Sequence, residues 1–140
     1  MAKVLIVDDE KDVRDSVARI LQRAGHEVDL AGSGEAGMQA YMAGGADLII
    51  TDVILPGQHG VDLIKQLRQA GCTAAIIAIS GGGNLAAAGY MPGAITTSAY
   101  LAAAGKGGAD ATLTKPFERK QLLELVESVL SGKGQSPSTS

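Results

Sequence analysis

The chain has 140 residues, 46% of them apolar and only 3% aromatic, which sets up one domain with a single, aliphatic core. A net charge of −3, a pI near 5.3 and the lack of any lysine or arginine cluster argue against nucleic acid as a direct partner. One cysteine, Cys72, excludes an internal disulfide, and the short apolar run in "MAKVLIVDDE" suits neither a signal peptide nor a membrane span, so a cytoplasmic setting is expected.

The stretch "KVLIVDD" is a continuous apolar run ending in acids, the pattern of a strand buried on both faces. Val13, Val17, Ile20, Leu21 and Ala24 then recur at helical spacing until Gly25 stops the helix. "EVDLA" predicts a second strand, and residues 34–43 a helix with Ser33 as N-cap. "DLIITDV" predicts a third strand carrying a single carboxylate, Asp52, before Pro56 and Gly57 break the chain; a helix over 60–70 follows. "AAIIAIS" predicts a fourth strand ending at Ser80, and "ATLTK" a short fifth. Leu122, Leu123, Val126, Val129 and Leu130 mark an amphipathic last helix. The tail "SGKGQSPSTS", residues 131–140, has nothing to bury and is expected to be disordered, leaving 1–130 as the domain. His26 and His59 read as solvated loop residues, since neither has a metal-ligand partner at useful spacing.

Strands alternating with helices imply an α/β fold: a three-layer, doubly wound, five-stranded parallel sheet. Ligands of such sheets bind beyond the carboxyl ends of the strands. Asp8 and Asp9 end the first strand, Asp52 the third, Ser80 the fourth and Lys115 the fifth, so the polar residues that end these apolar strands all fall on one edge. Three carboxylates crowded there repel, and a divalent cation relieves the repulsion; an all-oxygen site with spare water positions suits Mg²⁺. A carboxylate beside a hard cation and an ammonium is arranged to attack phosphorus, with Asp52 as nucleophile and Lys115 offsetting charge on the phosphoryl oxygens. Ser80 would hydrogen-bond the phosphoryl group once it is attached to Asp52.

Asp8-Asp9, Asp52 followed by "VILPGQHG", Ser80 after "IIAI", and Lys115-Pro116-Phe117 together resemble the receiver domain of two-component response regulators, over roughly residues 3–130. The resemblance implies a flavodoxin-like (βα)5 fold of the chemotaxis-regulator kind. It also implies phosphorylation of Asp52 by a histidine kinase or histidine phosphotransfer protein. By it, Asp9, Asp52 and the Ile54 carbonyl hold Mg²⁺ with Asp8 helping through water, Ser80 is the switch hydroxyl, and the Lys115-Pro116 bond is cis. Such a protein is not a conventional enzyme, although it catalyses its own phosphorylation and dephosphorylation. With no output domain following, a stand-alone receiver signalling through contacts with a downstream protein target is expected.

A rival reading lies at Gly32–Gly37. "GSGEAG" fits the G-x-G-x-x-G dinucleotide fingerprint between a strand and a helix, and Asp52 lies 20 residues beyond Gly32. That fingerprint normally follows the first strand, and the rival leaves Asp8, Asp9, Ser80 and Lys115 unexplained. A glycine-rich turn into the second helix is preferred. A nucleotide P-loop fails because Gly107 follows Gly105-Lys106, and an aspartyl phosphatase would want D-x-D where "DDE" stands. Three features depart from the receiver pattern. Thr112 stands where many receivers carry an aromatic, and apolar Ile54 replaces a frequently polar residue, predicting slow self-dephosphorylation. Gly81 to Asp110 spans 30 residues where an average helix and two loops need about 15 to 24. The excess around residues 81–100 reads either as a switch that changes shape or order on phosphorylation or as a passive surface insertion.

Overall fold

In the computed structural model of the chain, residues 2–52, 54–55, 58–81, 109–115 and 117–133 are described. Five parallel strands form one sheet in the order β2-β1-β3-β6-β7: β1 (Lys3–Val7), β2 (Glu27–Ala31), β3 (Leu48–Asp52), β6 (Ala75–Gly81) and β7 (Ala111–Lys115). Between β3 and β6 stand two short antiparallel strands, β4 (Ile54–Leu55) and β5 (Gln58–His59), which the hydropathy pattern does not announce. The helices are α1 (Lys11–Arg23), α2 (Gly34–Gly44), α3 (Gly60–Gln69) and α4 (Arg119–Lys133).

The period of a strand divides the core in two. Leu5, Val7, Ile49, Ile76 and Ala78 point to one face, where Leu63, Ile64 and Leu67 of α3 cover them and α2 packs alongside. Val4, Ile6, Leu48, Ile50, Ile77 and Ile79 point to the other, against Val17, Ala18 and Leu21 of α1 and Leu122 and Val126 of α4. The central strands β1, β3 and β6 are therefore apolar at consecutive positions, because helices cover both faces. β2, at the edge, leaves Leu30 exposed. A fully buried leucine such as Leu21, Leu67 or Leu122 contributes about 1.5–3 kcal/mol by leaving water.

Helix ends follow local chemistry. Ser33 caps α2 as expected, its Oγ accepting from the Ala36 N–H at 3.1 Å. α1 and α3 close the same way: Gly25 (φ +95°) and Gly71 (φ +91°) adopt the left-handed turn that glycine enters without strain. The His26 N–H then reaches back to the Leu21 carbonyl and the Cys72 N–H to that of Leu67, at 3.0 and 2.9 Å, satisfying the last carbonyls of each helix. At the amino edge of the sheet, Arg68 donates to the carbonyls of Cys72 and Ala74 and pairs with Asp110 at 3.0 Å. Asp110 Oδ2 also accepts from the Ile76 N–H at 2.8 Å, which seats the start of β7 beside β6.

Three expectations shift. α4 runs to Lys133, three residues beyond the boundary expected at 130. His26 is half-buried rather than solvated and accepts the Ala2 N–H at Nδ1 (3.2 Å), because the turn closing α1 lays it against the amino terminus. His59 falls in β5 rather than in a loop. The rest of the long segment, residues 82–108, on which the switch expectation falls, lies outside the described residues, as do Pro116, with the expected cis bond, and the tail beyond 133. Among the described residues no helix is long and apolar enough to cross a membrane.

Candidate functional site

The register of the sheet decides what meets at its carboxyl edge. Val7 of β1 pairs with Thr51 of β3, so Asp8 and Asp9 emerge beside Asp52. Asp52 in turn pairs with Ile79 of β6; Ser80 and Gly81, the next two residues, pair with Thr114 and Lys115 of β7. The main chain thus carries Asp8, Asp9, Asp52, Ser80 and Lys115 to adjacent strand ends. The side chains of Ser80, Lys115 and Ile54 lie outside the described residues; Ile54 itself opens β4, two residues after Asp52. Thr112 is exposed on β7, opposite Ala78.

Asp8, Asp9 and Asp52 each present a carboxylate oxygen, and the three oxygens lie within 4.8 Å of one another. Asp8 and Asp52 are buried, at 3% and 2% exposure, while Asp9 is open to solvent. Two like charges about 5 Å apart repel by about 3 kcal/mol at the effective dielectric of a protein surface. The donor set fits a small divalent cation: oxygen only, anionic, with one side facing water.

Local bonds hold Asp8 and the main chain at Asp52 in place. The Asp8 N–H donates to the Ala31 carbonyl at 3.1 Å, extending the β1–β2 ladder by one step. Asp8 Oδ1 accepts from the Glu10 N–H at 2.9 Å, capping a helix whose N-cap residue, Glu10, makes no side-chain cap of its own. The Asp8 carbonyl accepts from Arg14 Nη1 at 2.7 Å. Thr51, fully buried, donates from Oγ1 to the Asp52 carbonyl at 3.0 Å.

Arg14 is the residue that sequence reasoning missed. It looks like a solvent-face cation between Val13 and Val17. The available signal was its place near the start of α1, where the helix dipole disfavours positive charge. A cation there wants a tertiary partner, and its partner is the Asp8 carbonyl.

The glycine pattern at Gly32–Gly37 has a packing explanation. A Cβ on Gly37 would lie 2.8 Å from Val7 Cγ2, so the glycine lets α2 close onto β1. A Cβ on Gly32 would lie 3.3 Å from Arg14 Nη1. The Ala36 N–H, one of the helix-start donors a phosphate would use, is already taken by Ser33.

The family model for the response regulator receiver domain matches residues 4–127. The transcriptional regulatory protein CusR of Escherichia coli is 34% identical over 128 residues, covering 91% of this chain and 51% of CusR. The high-resolution structure of the chemotaxis response regulator CheY4 of Vibrio cholerae superposes with a TM-score of 0.74 at 29% identity, covering 92% of this chain and 98% of that one. A response regulator receiver domain protein from Clostridium thermocellum gives 0.77 at 26% identity, covering 96% and 98%. The chain spans about half the length of curated relatives such as CusR and the transcriptional regulatory protein DltR of Streptococcus agalactiae.

Proposed function

The chain belongs to the response regulator receiver domain family, and from that premise we propose that Asp52 is its phosphoacceptor. The reading rests on one observation above the others: buried Asp52 shares a 4.8 Å cluster with Asp8 and Asp9 at the sheet edge where β6 and β7 deliver Ser80 and Lys115. The phosphodonor is a histidine kinase or a histidine phosphotransfer protein, and the output passes through contact with a downstream protein. The work is done in the cytoplasm, by a receiver unit that runs through the end of α4 at Lys133, with the residues beyond it as a tail.

Mg²⁺ is the cation proposed for the acidic cluster, held by Asp9, Asp52 and the Ile54 carbonyl, with Asp8 acting through water. When bound, it neutralises the carboxylates and the charge gathering on the phosphoryl oxygens. The reaction itself belongs to Asp52. One carboxylate oxygen attacks phosphorus, a new O–P bond forms, and the donor's N–P bond breaks with its electron pair returning to the imidazole nitrogen. Lys115 offsets negative charge on the transferred group, and the Ser80 hydroxyl hydrogen-bonds a phosphoryl oxygen of the product. Burial of Asp52 keeps bulk water from competing during transfer.

Intact-mass measurement after incubation with acetyl phosphate and Mg²⁺ tests the assignment. The parent is expected to gain one phosphoryl group, and Asp52→Asn, which removes the nucleophile at nearly constant volume, is expected to gain none while keeping its fold. Equal uptake by the variant would sink the assignment.

A further inference from the structure

The turn between β1 and α1 carries a cation folded back over it. Arg14, half-buried on α1, reaches six residues back to the Asp8 carbonyl at 2.7 Å. That carbonyl belongs to the peptide joining Asp8 to Asp9, so the bond sets the plane from which Asp9 departs. Asp8 has other ties, through its amide to Ala31 and its carboxylate to Glu10. Asp9 has none: among the described residues its exposed carboxylate makes no hydrogen bond or ion pair. Its aim into the 4.8 Å cluster therefore depends on the backbone of the turn.

We infer that Arg14 is a positioning residue for the divalent cation, aiming Asp9 through the Asp8 carbonyl without touching the ion. The inference rests on the cation reading above and deepens it. Gly32 belongs to the same device, because a Cβ there would lie 3.3 Å from Arg14 Nη1, closer than ordinary van der Waals contact, and its absence leaves the guanidinium its path. The first glycine of the fingerprint-like motif thus acquires a role in the acidic site.

Charge and geometry make opposite demands here. A guanidinium bound to the turn that carries Asp8 and Asp9 repels a dication, so on charge alone removing Arg14 tightens Mg²⁺ binding. On geometry, removing it frees the peptide that aims Asp9, and binding weakens. The bond at 2.7 Å lies at the short end for a charged donor and favours geometry. Outer partners that orient metal ligands typically change affinity by about 10- to 100-fold when lost.

The test is a Mg²⁺ titration of the whole chain followed by the amide resonances of Asp9 and Glu10, which report binding without any phosphoryl transfer. Roughly tenfold weaker binding is expected for Arg14→Ala, at the lower end of that range. Partial recovery is expected for Arg14→Lys, whose ammonium can still donate to the carbonyl. Gly32→Val should weaken binding as well by pushing the guanidinium aside, and it carries the test alone should Arg14→Ala not fold. Binding as tight as the parent's, or tighter, in a folded Arg14→Ala or in Gly32→Val overturns the positioning role and leaves the cation site standing. A parent chain that binds no Mg²⁺ overturns both.

Discussion

Tyr41 shows how a single residue couples the fold to pH. It sits on α2 and packs against the core cluster that contains Cys72. A hydrogen bond with the Cys72 thiol, and then burial, hold its phenol above the ordinary value of 10.0, with the Thr73 backbone and Arg68 pulling weakly the other way. An acid whose folded pKa is raised keeps its proton longer in the folded chain than in the unfolded one. Its contribution to stability is therefore complete below about pH 10 and is lost as pH rises through the folded value. Tyr41→Phe keeps the ring and removes the titration. We expect the parent's unfolding free energy to fall more steeply above pH 10 than the variant's, in urea denaturation at a series of pH values. Parallel alkaline limbs for the two proteins would refute this assignment of the slope.

Elements meet closely where α2 lies on β1. Gly37 faces Val7, and a methyl group there would press on Val7 Cγ2 at 2.8 Å and Cγ1 at 3.3 Å. Overpacking of this kind costs about 1–3 kcal/mol. Alanine also gains up to about 1 kcal/mol over glycine within a helix. The clash outweighs the propensity, and Gly37→Ala is expected to be less stable by about 1 kcal/mol, read as a lower urea midpoint at unchanged slope. A variant as stable as the parent would mean that β1 yields more easily than its burial implies. The same contact shows what was legible in advance. "KVLIVDD", "DLIITDV" and "AAIIAIS" are strands because only sheets covered on both faces bury such runs, and the residues that end them define the site. "GSGEAG" was ambiguous because a phosphate cradle and a tight helix–strand crossing ask for the same small residues; Val7, 30 positions from Gly37, decides between them. The β4–β5 hairpin was invisible, since two residues per strand carry no period. Arg14 carries only a weak signal, its place near the start of α1, because its partner is a main-chain carbonyl that no side-chain pattern reveals.

For the molecule as a whole, the sheet order gathers in one place charges that the fold would be more stable without. Placing β1 beside β3 brings three carboxylate oxygens within 4.8 Å. Without a counter-ion that arrangement opposes folding; with one it becomes a linkage between ligand and stability. Asp9 isolates the effect, since it is exposed and carries no hydrogen bond or ion pair among the described residues that its neutralisation would break. Solvent screening limits the relief to roughly 0.5–1 kcal/mol, the scale of exposed charge pairs. For a domain of this size that corresponds to about 2–4 °C. Asp9→Asn is therefore expected to melt at a higher temperature than the parent in EDTA. Saturating Mg²⁺ should reverse the order. The parent gains about 2.7 kcal/mol at a hundredfold excess over its dissociation constant, while the variant, short of one anionic ligand, gains less. Melting curves of both proteins in the two buffers check this, and the crossing is the point at issue. If Asp9→Asn melts below the parent in EDTA as well, the acids are not in conflict without the cation, and Asp9 supports the fold in some other way.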